Sequence, residues 1–100
     1  MNIKNFDAIV VGSGQAGNPL ARALAGEGWK VAVIERRYAG GTCINYGCTP
    51  TKTMISSARV AYLASRGKEF GVHTEKIKVN LREVKKRKDR IVLRFREGVR

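Results

Sequence analysis

The chain has few of the residues that small proteins use for cross-links or metal centres. Its 100 residues include two cysteines and one histidine. A secreted disulfide scaffold has a much higher cysteine density, and a structural zinc site needs about four ligands, so neither class is favoured. No apolar run approaches the roughly 20 residues of a transmembrane helix, and no signal peptide is recognisable. We therefore expect a cytoplasmic protein with no membrane span and no metal site.

Acidic residues are also scarce. Asp and Glu total 8 against 20 Lys and Arg, which gives a formal net charge of +12. The excess lies mainly in residues 76–100, where eleven basic residues face three acidic ones. The run at 85–88 is compatible with nucleic-acid binding, but no aromatic residues interleave with it to stack bases. A solvated helix face is the favoured interpretation, and a basic Rossmann-like binding module without redox chemistry is the alternative function.

The first 35 residues follow the order strand, glycine turn, helix, strand and acid. Residues 6–11 form a short apolar run suited to a buried parallel strand. The sequence GSGQAG follows at 12–17, a helix is predicted over 18–27, and a second strand over 31–34 ends at Glu35. This order is the context in which a glycine-rich turn indicates a dinucleotide-binding unit. The sequence therefore predicts an α/β fold that begins with a Rossmann-like βαβ unit and an incomplete parallel sheet.

Each glycine of the turn has a predicted task. Gly12 makes the tight turn out of the strand, Gly14 lacks the Cβ that would block a pyrophosphate, and Gly17 lets the helix pack closely on the sheet. The helix N-terminus adds free N–H groups and the positive end of the helix dipole. Glu35, 18 residues beyond Gly17, is placed to hold a ribose hydroxyl. A glycine turn that binds nothing is the alternative, and the turn by itself does not distinguish FAD from NAD.

The two cysteines, Cys43 and Cys48, lie five residues apart in the run GGTCINYGCTPTK. On an ideal helix this spacing puts the Cα atoms about 8–9 Å apart, whereas a disulfide needs roughly 4.4–6.8 Å. A bonded pair therefore requires a break in the helix, for which Gly47 and the residue before Pro50 offer the freedom. So short a loop gains little stability from closure, which favours a reversible redox couple over a structural disulfide. Two buried free thiols, and a metal site completed from elsewhere, are the alternatives.

The cysteine pair also favours a flavin as the bound dinucleotide, because a flavin can pass electrons to a disulfide against its ring. The run GGTCINYGCTPTK closely resembles the active-site segment of the FAD-dependent pyridine nucleotide-disulfide oxidoreductases. That family includes dihydrolipoamide dehydrogenase, glutathione reductase and mercuric reductase. The resemblance covers residues 5–72 well. The stretch GSGQAG followed by Asn-Pro-Leu-Ala looks most like mercuric-reductase-like members.

The resemblance implies a set of cofactor-binding residues for FAD: Gly12, Gly14, Ala16, Gly17, Glu35, Arg36, Gly41, Thr42 and Lys52. Cys43 and Cys48 would be the catalytic residues. Cys43 would be the interchange thiol that meets the substrate, and Cys48 would be the thiol in contact with the flavin. Lys52 would lie near the reactive edge of the ring and stabilise negative charge on it.

The resemblance also implies what surrounds this segment. Residues 1–100 would be the N-terminal part of an FAD-binding domain, with the rest of that domain, an NAD(P) domain and a dimerisation domain absent. NAD(P)H would be the electron donor, and the substrate a small-molecule disulfide or a metal ion such as mercuric ion. The full-length protein would be a homodimer in which the dimerisation domain supplies a His–Glu acid/base pair. The fragment by itself is not expected to turn over.

Three further elements are predicted from the apolar pattern. Leu20, Ala23 and Leu24 should also share one apolar face of the first helix. One long redox-active helix should begin at the cysteine pair and end near Gly67, followed by a short strand at 70–72. Residues 80–97 predict a basic helix, for which Asn80 is a suitable N-cap.

Overall fold

The structure, a computed structural model, describes all 100 residues. Its elements in chain order are β1 (Ala8–Val11), α1 (Gly17–Gly26), β2 (Val31–Ile34), α2 (Gly41–Tyr46), α3 (Cys48–Ser65), a short 3-10 helix (Gly67–Phe70) and α4 (Leu81–Val99). The predicted α/β class and the βαβ start are confirmed.

The sheet consists of β1 and β2, paired in parallel with Ala8 opposite Val31. Parallel strands need a crossover connection, and α1 provides it. The predicted bounds of β2 are confirmed, whereas β1 begins at Ala8 and not at residue 6. The reason lies in Asp7, whose carboxylate accepts a hydrogen bond of 2.7 Å from the Lys30 N–H. The Asp7 side chain thus accepts the Lys30 N–H at the point where the hydrogen-bonded pairing of β1 and β2 begins.

The apolar face predicted for α1 is not its buried face. Ala21 is 7 % exposed, whereas Leu20 is 53 % exposed. Ala23 is exposed as well, and only Leu24 of the predicted face is half-buried. The cause is Gly17, where an added Cβ would lie 2.2 Å from the Gly12 carbonyl oxygen. The face that approaches the sheet is therefore the one shared by Gly17 and the residue four positions later, Ala21.

The cysteine-bearing segment forms two helices, not the single long helix that the sequence predicts. α2 ends at Tyr46, Gly47 adopts φ −121° and ψ −113°, and α3 begins at Cys48. The predicted departure from regular helix at Gly47 is confirmed. The residue before Pro50 makes no such break, because Pro50 lies in the first turn of α3, where a missing N–H costs no helical hydrogen bond. α3 then ends at Ser65, close to the predicted end.

The strand predicted at 70–72 is wrong. The chain there forms a 3-10 turn, and Gly71 has φ +74°. The N–H of Val72 donates to the carbonyl of Gly67 at 2.9 Å, which closes the turn on itself. An added Cβ at Gly67 would lie 2.7 Å from the Val72 carbonyl oxygen, so only glycine permits this closure.

α4 begins where the sequence predicts. The Asn80 side chain accepts hydrogen bonds from the N–H groups of Arg82 at 3.1 Å and Glu83 at 3.2 Å, which confirms it as the N-cap. α4 packs against α3 and α2, and its Val92 is buried.

Most apolar side chains are exposed. Eight residues are buried, and Val11 of β1 is 82 % exposed. The radius of gyration is 20.4 Å, whereas a compact 100-residue domain has about 13 Å. The two-stranded sheet thus leaves apolar side chains of both strands exposed. None of the helices combines the length and the apolar character needed to cross a membrane.

Candidate cofactor and dithiol site

The glycine turn leaves β1 through Gly12, which has φ +97° and therefore favours glycine. The backbone N–H groups of Gly14, Gln15 and Ala16 have no acceptor within the chain. A Cβ added at Gly14 would meet one atom, a Cα 3.9 Å away, so the space before the turn is open. These donors lie at the N-terminus of α1, where the helix dipole favours an anion.

Glu35, at the end of β2, is bound to the glycine turn. Its Oε2 accepts from the Ser13 N–H at 3.0 Å and from the Ser13 hydroxyl at 2.8 Å, and its Oε1 accepts from the Arg37 N–H at 3.0 Å. These bonds, the Ser13 N–H first, lower the pKa of Glu35 from 4.5 to about 2. The exposed neighbour Arg36 adds a weaker contribution through its backbone N–H. The carboxylate is therefore ionised and fixed at neutral pH.

Ser13 links this carboxylate to the next turn of the chain. It is 5 % exposed, and its hydroxyl oxygen also accepts from the Gly40 N–H at 3.2 Å. Gly40 and Gly41 have φ +100° and +70°. A Cβ at Gly41 would lie 2.7 Å from the Gly14 Cα, so the two glycine turns touch through their backbones. The N–H groups of Gly41 and Thr42 also have no acceptor in the chain.

The two cysteines occupy different helices but lie next to each other. Cys43 is half-buried within α2, and the exposed Cys48 is the first residue of α3. No disulfide joins them in this structure. Hydrogen bonding to Cys48 is the main cause that raises the pKa of Cys43, burial adds to it, and the positive charge of Lys52 opposes it. Cys43 therefore keeps its proton at neutral pH.

Three adjoining cavities connect these features into what we call the trough. The first, about 560 Å³, is lined by Gln15, Cys43, Cys48, Lys52 and Phe95 among others. The second, about 530 Å³, shares Gln15 and Phe95 with it and includes Gly14, Asn18 and Arg94. The third, about 420 Å³, shares Asn18 with the second and includes Ser13, Glu35 and Val99. The trough thus runs from Glu35 past the glycine turn to the cysteine pair.

The predicted site residues fall into two groups. Gly14, Glu35, Cys43, Cys48 and Lys52 line the trough, and Gly41 touches Gly14 beside it. The others, Gly12, Ala16, Gly17, Arg36 and Thr42, do not line it. Gly12 and Gly17 act through backbone geometry, since one makes the turn and the other allows close helix packing.

Sequence reasoning missed two contributors to the site. The C-terminal half of α4, including Phe95 and Val99, forms a wall of all three cavities. Asn45, 8 % exposed, donates from Nδ2 to the Gly41 and Ala39 carbonyls at 2.8 and 3.0 Å, and its Oδ1 accepts from Arg96 Nε at 2.8 Å. The one available signal for Asn45 is its position beside a glycine turn, where backbone carbonyls need donors.

Outside the trough, the basic and acidic side chains form no second candidate site of comparable structure. Lys86, Arg87 and Arg90 of α4 line, with Glu83, a separate cavity of about 430 Å³. No three His, Cys, Asp or Glu side chains lie close enough together to hold a metal ion.

Comparison with known proteins agrees with the site. The family model "Pyridine nucleotide-disulphide oxidoreductase" matches residues 6–99. Dihydrolipoyl dehydrogenase of Chlamydia trachomatis is 39 % identical over 94 residues, that of Bacillus subtilis 36 % over 94, and mercuric reductase of Bacillus cereus 37 % over 92. The matches cover 94 %, 94 % and 92 % of this chain and 20 %, 20 % and 15 % of the relatives. The chain thus spans about a fifth or less of the length of these relatives.

The predicted resemblance is confirmed, and the alternative of a basic binding module without redox chemistry finds no support. The family match extends over nearly the whole chain, from the first strand to the end of α4. Within that span lie a glycine turn, an ionised carboxylate and a cysteine pair along one trough. The chain therefore belongs to the pyridine nucleotide-disulphide oxidoreductase family.

Proposed function

We propose that this chain is the FAD-binding, dithiol-bearing part of an NAD(P)H-dependent flavoprotein that reduces a small-molecule disulfide or mercuric ion. The observation that carries the proposal is the order of groups along the trough. A carboxylate, an open set of backbone N–H donors and a cysteine pair follow one another. A ribose, a diphosphate and a flavin ring follow one another in the same order along FAD.

The residues present fit this cofactor. The free N–H groups of Gly14, Gln15 and Ala16 suit diphosphate oxygens, and the absence of a Cβ at Gly14 lets the phosphates approach the backbone. Glu35 is ionised and can accept hydrogen bonds from ribose hydroxyls. Lys52 lies in the same cavity as both cysteines and suits a ring system that acquires negative charge.

When bound, FAD supplies two-electron transfer between a nicotinamide and the cysteine couple. The chain's own residues bind and orient it: Glu35 holds the ribose end, the glycine turn the diphosphate, and Lys52 the end near the thiols. Cys43 then attacks a substrate disulfide and displaces one thiol, and Cys48 attacks the mixed disulfide and displaces the second. This exchange converts the dithiol to the Cys43–Cys48 disulfide and the substrate disulfide to two thiols, so electrons balance.

The protonation of Cys43 adds a requirement. Because its pKa is raised, a base must remove its proton before it attacks. Lys52, the ionisable neighbour of the pair in the trough, is a cation and opposes the raised pKa only partly. The base in this proposal is the His–Glu pair of a dimerisation domain, which requires a homodimer. A cytoplasmic location is compatible, because catalytic disulfides form transiently in reducing compartments.

The test is the visible absorption spectrum of the purified holoprotein before and after dithionite. We expect flavin bands that bleach, with a long-wavelength shoulder at the two-electron stage from a thiolate beside the ring. Cys48→Ser should remove the shoulder and keep the flavin. The matched variant Cys43→Ser should keep the flavin and show the shoulder before reduction, because its Cys48 thiol has no disulfide partner. A colourless protein that cannot be reconstituted with FAD would overturn the proposal, and a shoulder that survives Cys48→Ser would overturn the roles of the two thiols.

A further inference from the structure

We propose that Asn45 of α2 and Arg96 of α4 form a clamp that positions Cys43 for bond formation with Cys48. This role rests on the proposed function, because it takes the two thiols as a redox couple. The Asn45–Arg96 clamp belongs to the site's support and not to its catalytic groups. It consists of a buried amide, a half-buried guanidinium and the backbone turn that precedes α2.

The first part of the clamp fixes α2 to its own preceding turn. Asn45 lies two residues after Cys43 on the six-residue helix α2. Its Nδ2 donates to the carbonyls of Gly41 at 2.8 Å, Ala39 at 3.0 Å and Tyr38 at 3.4 Å. That turn contains two glycines with positive φ, whose backbones have wide conformational freedom. The amide therefore supplies the restraint that the glycines lack.

The second part fixes the amide itself. Arg96 Nε donates to Asn45 Oδ1 at 2.8 Å, and the Arg96 guanidinium lies 4.0 Å from the centre of the Tyr38 ring. Since Oδ1 is taken by a cation, Nδ2 must face the carbonyls. Arg96 forms no ion pair with any carboxylate, so its contacts with Asn45 and Tyr38 are what hold it in place.

The same helix holds the other cysteine-bearing helix independently. Arg87 of α4 donates to the Thr53 carbonyl at 3.2 Å and to the Ser56 hydroxyl at 3.1 Å, both on α3. α2 and α3 are joined by a single glycine outside either helix, Gly47. α4 thus binds both cysteine-bearing helices, α2 through Arg96 and α3 through Arg87, and adds a restraint to the direct packing of α2 on α3.

Loss of the clamp should lower the effective concentration of one thiol near the other, because reacting groups held in place gain from pre-organisation. The quantity to measure is the equilibrium constant for oxidation of the chain by glutathione disulfide, in which the two thiols form one disulfide and two glutathione molecules are released. We expect Arg96→Gln to lower this constant about tenfold, which corresponds to about 1.4 kcal/mol. Arg96→Lys, which keeps a donor but not the planar fork, should restore part of it.

The matched control is Arg90→Gln, which removes the same charge from the same helix at an exposed side chain with no hydrogen bond. It should leave the equilibrium constant unchanged. The alkylation rate of Cys48 in a Cys43→Ser background should be the same with and without Arg96→Gln, because the clamp acts on α2 and not on α3. A change in that rate would indicate a general structural effect and would overturn the clamp.

The outcomes separate the clamp from the proposed function. A wild-type chain that forms no Cys43–Cys48 disulfide at any glutathione ratio would overturn the redox couple and with it the proposed function. A wild-type chain that forms it, with Arg96→Gln within twofold, would overturn the clamp alone. If Arg96→Gln loses helix content, Asn45→Asp is the variant to use instead. Asn45→Asp keeps an acceptor for Arg96 but places an oxygen, in place of the Nδ2 donor, against the Gly41 and Ala39 carbonyls. An unchanged constant in Asn45→Asp would also overturn the clamp.

Discussion

Ser13 and Glu35 are joined by two hydrogen bonds to one carboxylate oxygen, 2.8 Å from the serine hydroxyl and 3.0 Å from its N–H. The serine oxygen accepts in turn from the Gly40 N–H. A carboxylate at the end of one strand thus orders both the glycine turn after the other strand and the turn that leads to Cys43. The charge state of Glu35 should therefore influence the whole site.

Glu35→Gln should alter the acid dependence of stability. The folded-state pKa of about 2 lies below the ordinary value of 4.5. The ionised form is thus favoured in the folded state, and this contribution is present above about pH 4.5 and is lost as the pH falls toward 2. We expect the midpoint of thermal unfolding, followed by circular dichroism, to fall more steeply in this window for the wild type than for Glu35→Gln.

The control for this measurement is Glu27→Gln, since Glu27 is exposed and its side chain makes no hydrogen bond. It should retain the steep dependence of the wild type. Asp89, whose pKa is lowered by its hydrogen bonds to Lys85 and Lys88, contributes equally to all three proteins. Equal slopes for wild type and Glu35→Gln would contradict the role assigned to the Ser13–Glu35 bonds.

Two glycine-to-alanine substitutions in α1 should have opposite effects. At Gly17 the new Cβ would lie 2.2 Å from the Gly12 carbonyl oxygen, and at Gly26 it would meet nothing within 4 Å. Gly17→Ala should destabilise the chain by about 1–3 kcal/mol or more through overpacking. Gly26→Ala should stabilise it by about 0.5–1 kcal/mol through helix propensity. Urea unfolding measures both, and a tolerated Gly17→Ala would show that α1 does not approach the turn this closely.

Cys48→Ala should make Cys43 more acidic. It removes the hydrogen bond and the like charge that raise the pKa of Cys43 and leaves Lys52, whose charge lowers it. The pH profile of iodoacetamide alkylation at Cys43, resolved by peptide mapping, should move to lower pH in Cys48→Ala. Adding Lys52→Gln should move it back upward. Identical profiles for Cys43 in wild type and Cys48→Ala would contradict the contact between the two thiols.

Asn80→Ala should weaken α4 by about 1 kcal/mol, because two backbone N–H groups lose their acceptor. Asn80→Asp should keep those bonds and place a negative charge at the helix N-terminus, so its free energy of unfolding should equal or exceed that of the wild type. Urea unfolding of the two variants gives the comparison. Equal losses in both variants would contradict the role of the side-chain oxygen as the acceptor of the cap.

Features with local causes were predictable from the sequence. The turn at Gly12, the bounds of β2, the break at Gly47 and the cap at Asn80 each follow from the chemistry of a few adjacent residues. The strand expected at 70–72 failed for a local reason as well, since Gly71 takes a positive φ that closes a turn.

Features that depend on distant residues were not predictable. Ala21 and not Leu20 is buried on α1 because α1 packs against β2, a strand that comes later in the chain. Asn45 meets Arg96 across 51 positions of sequence, and no periodicity relates two such residues. The wall that α4 adds to the trough belongs to the same class, because it arises from packing of one helix on two others.

The contact between Gly14 and Gly41 limits the sequence variation that the Gly41 codon can tolerate. Every missense change of a single nucleotide in a glycine codon introduces a β carbon or a longer side chain. At Gly41 that carbon would lie 2.7 Å from the Gly14 backbone, at a φ of +70°. No single-nucleotide missense change at the Gly41 codon is therefore expected to be neutral. Genes that retain this turn should show only synonymous variation at that codon.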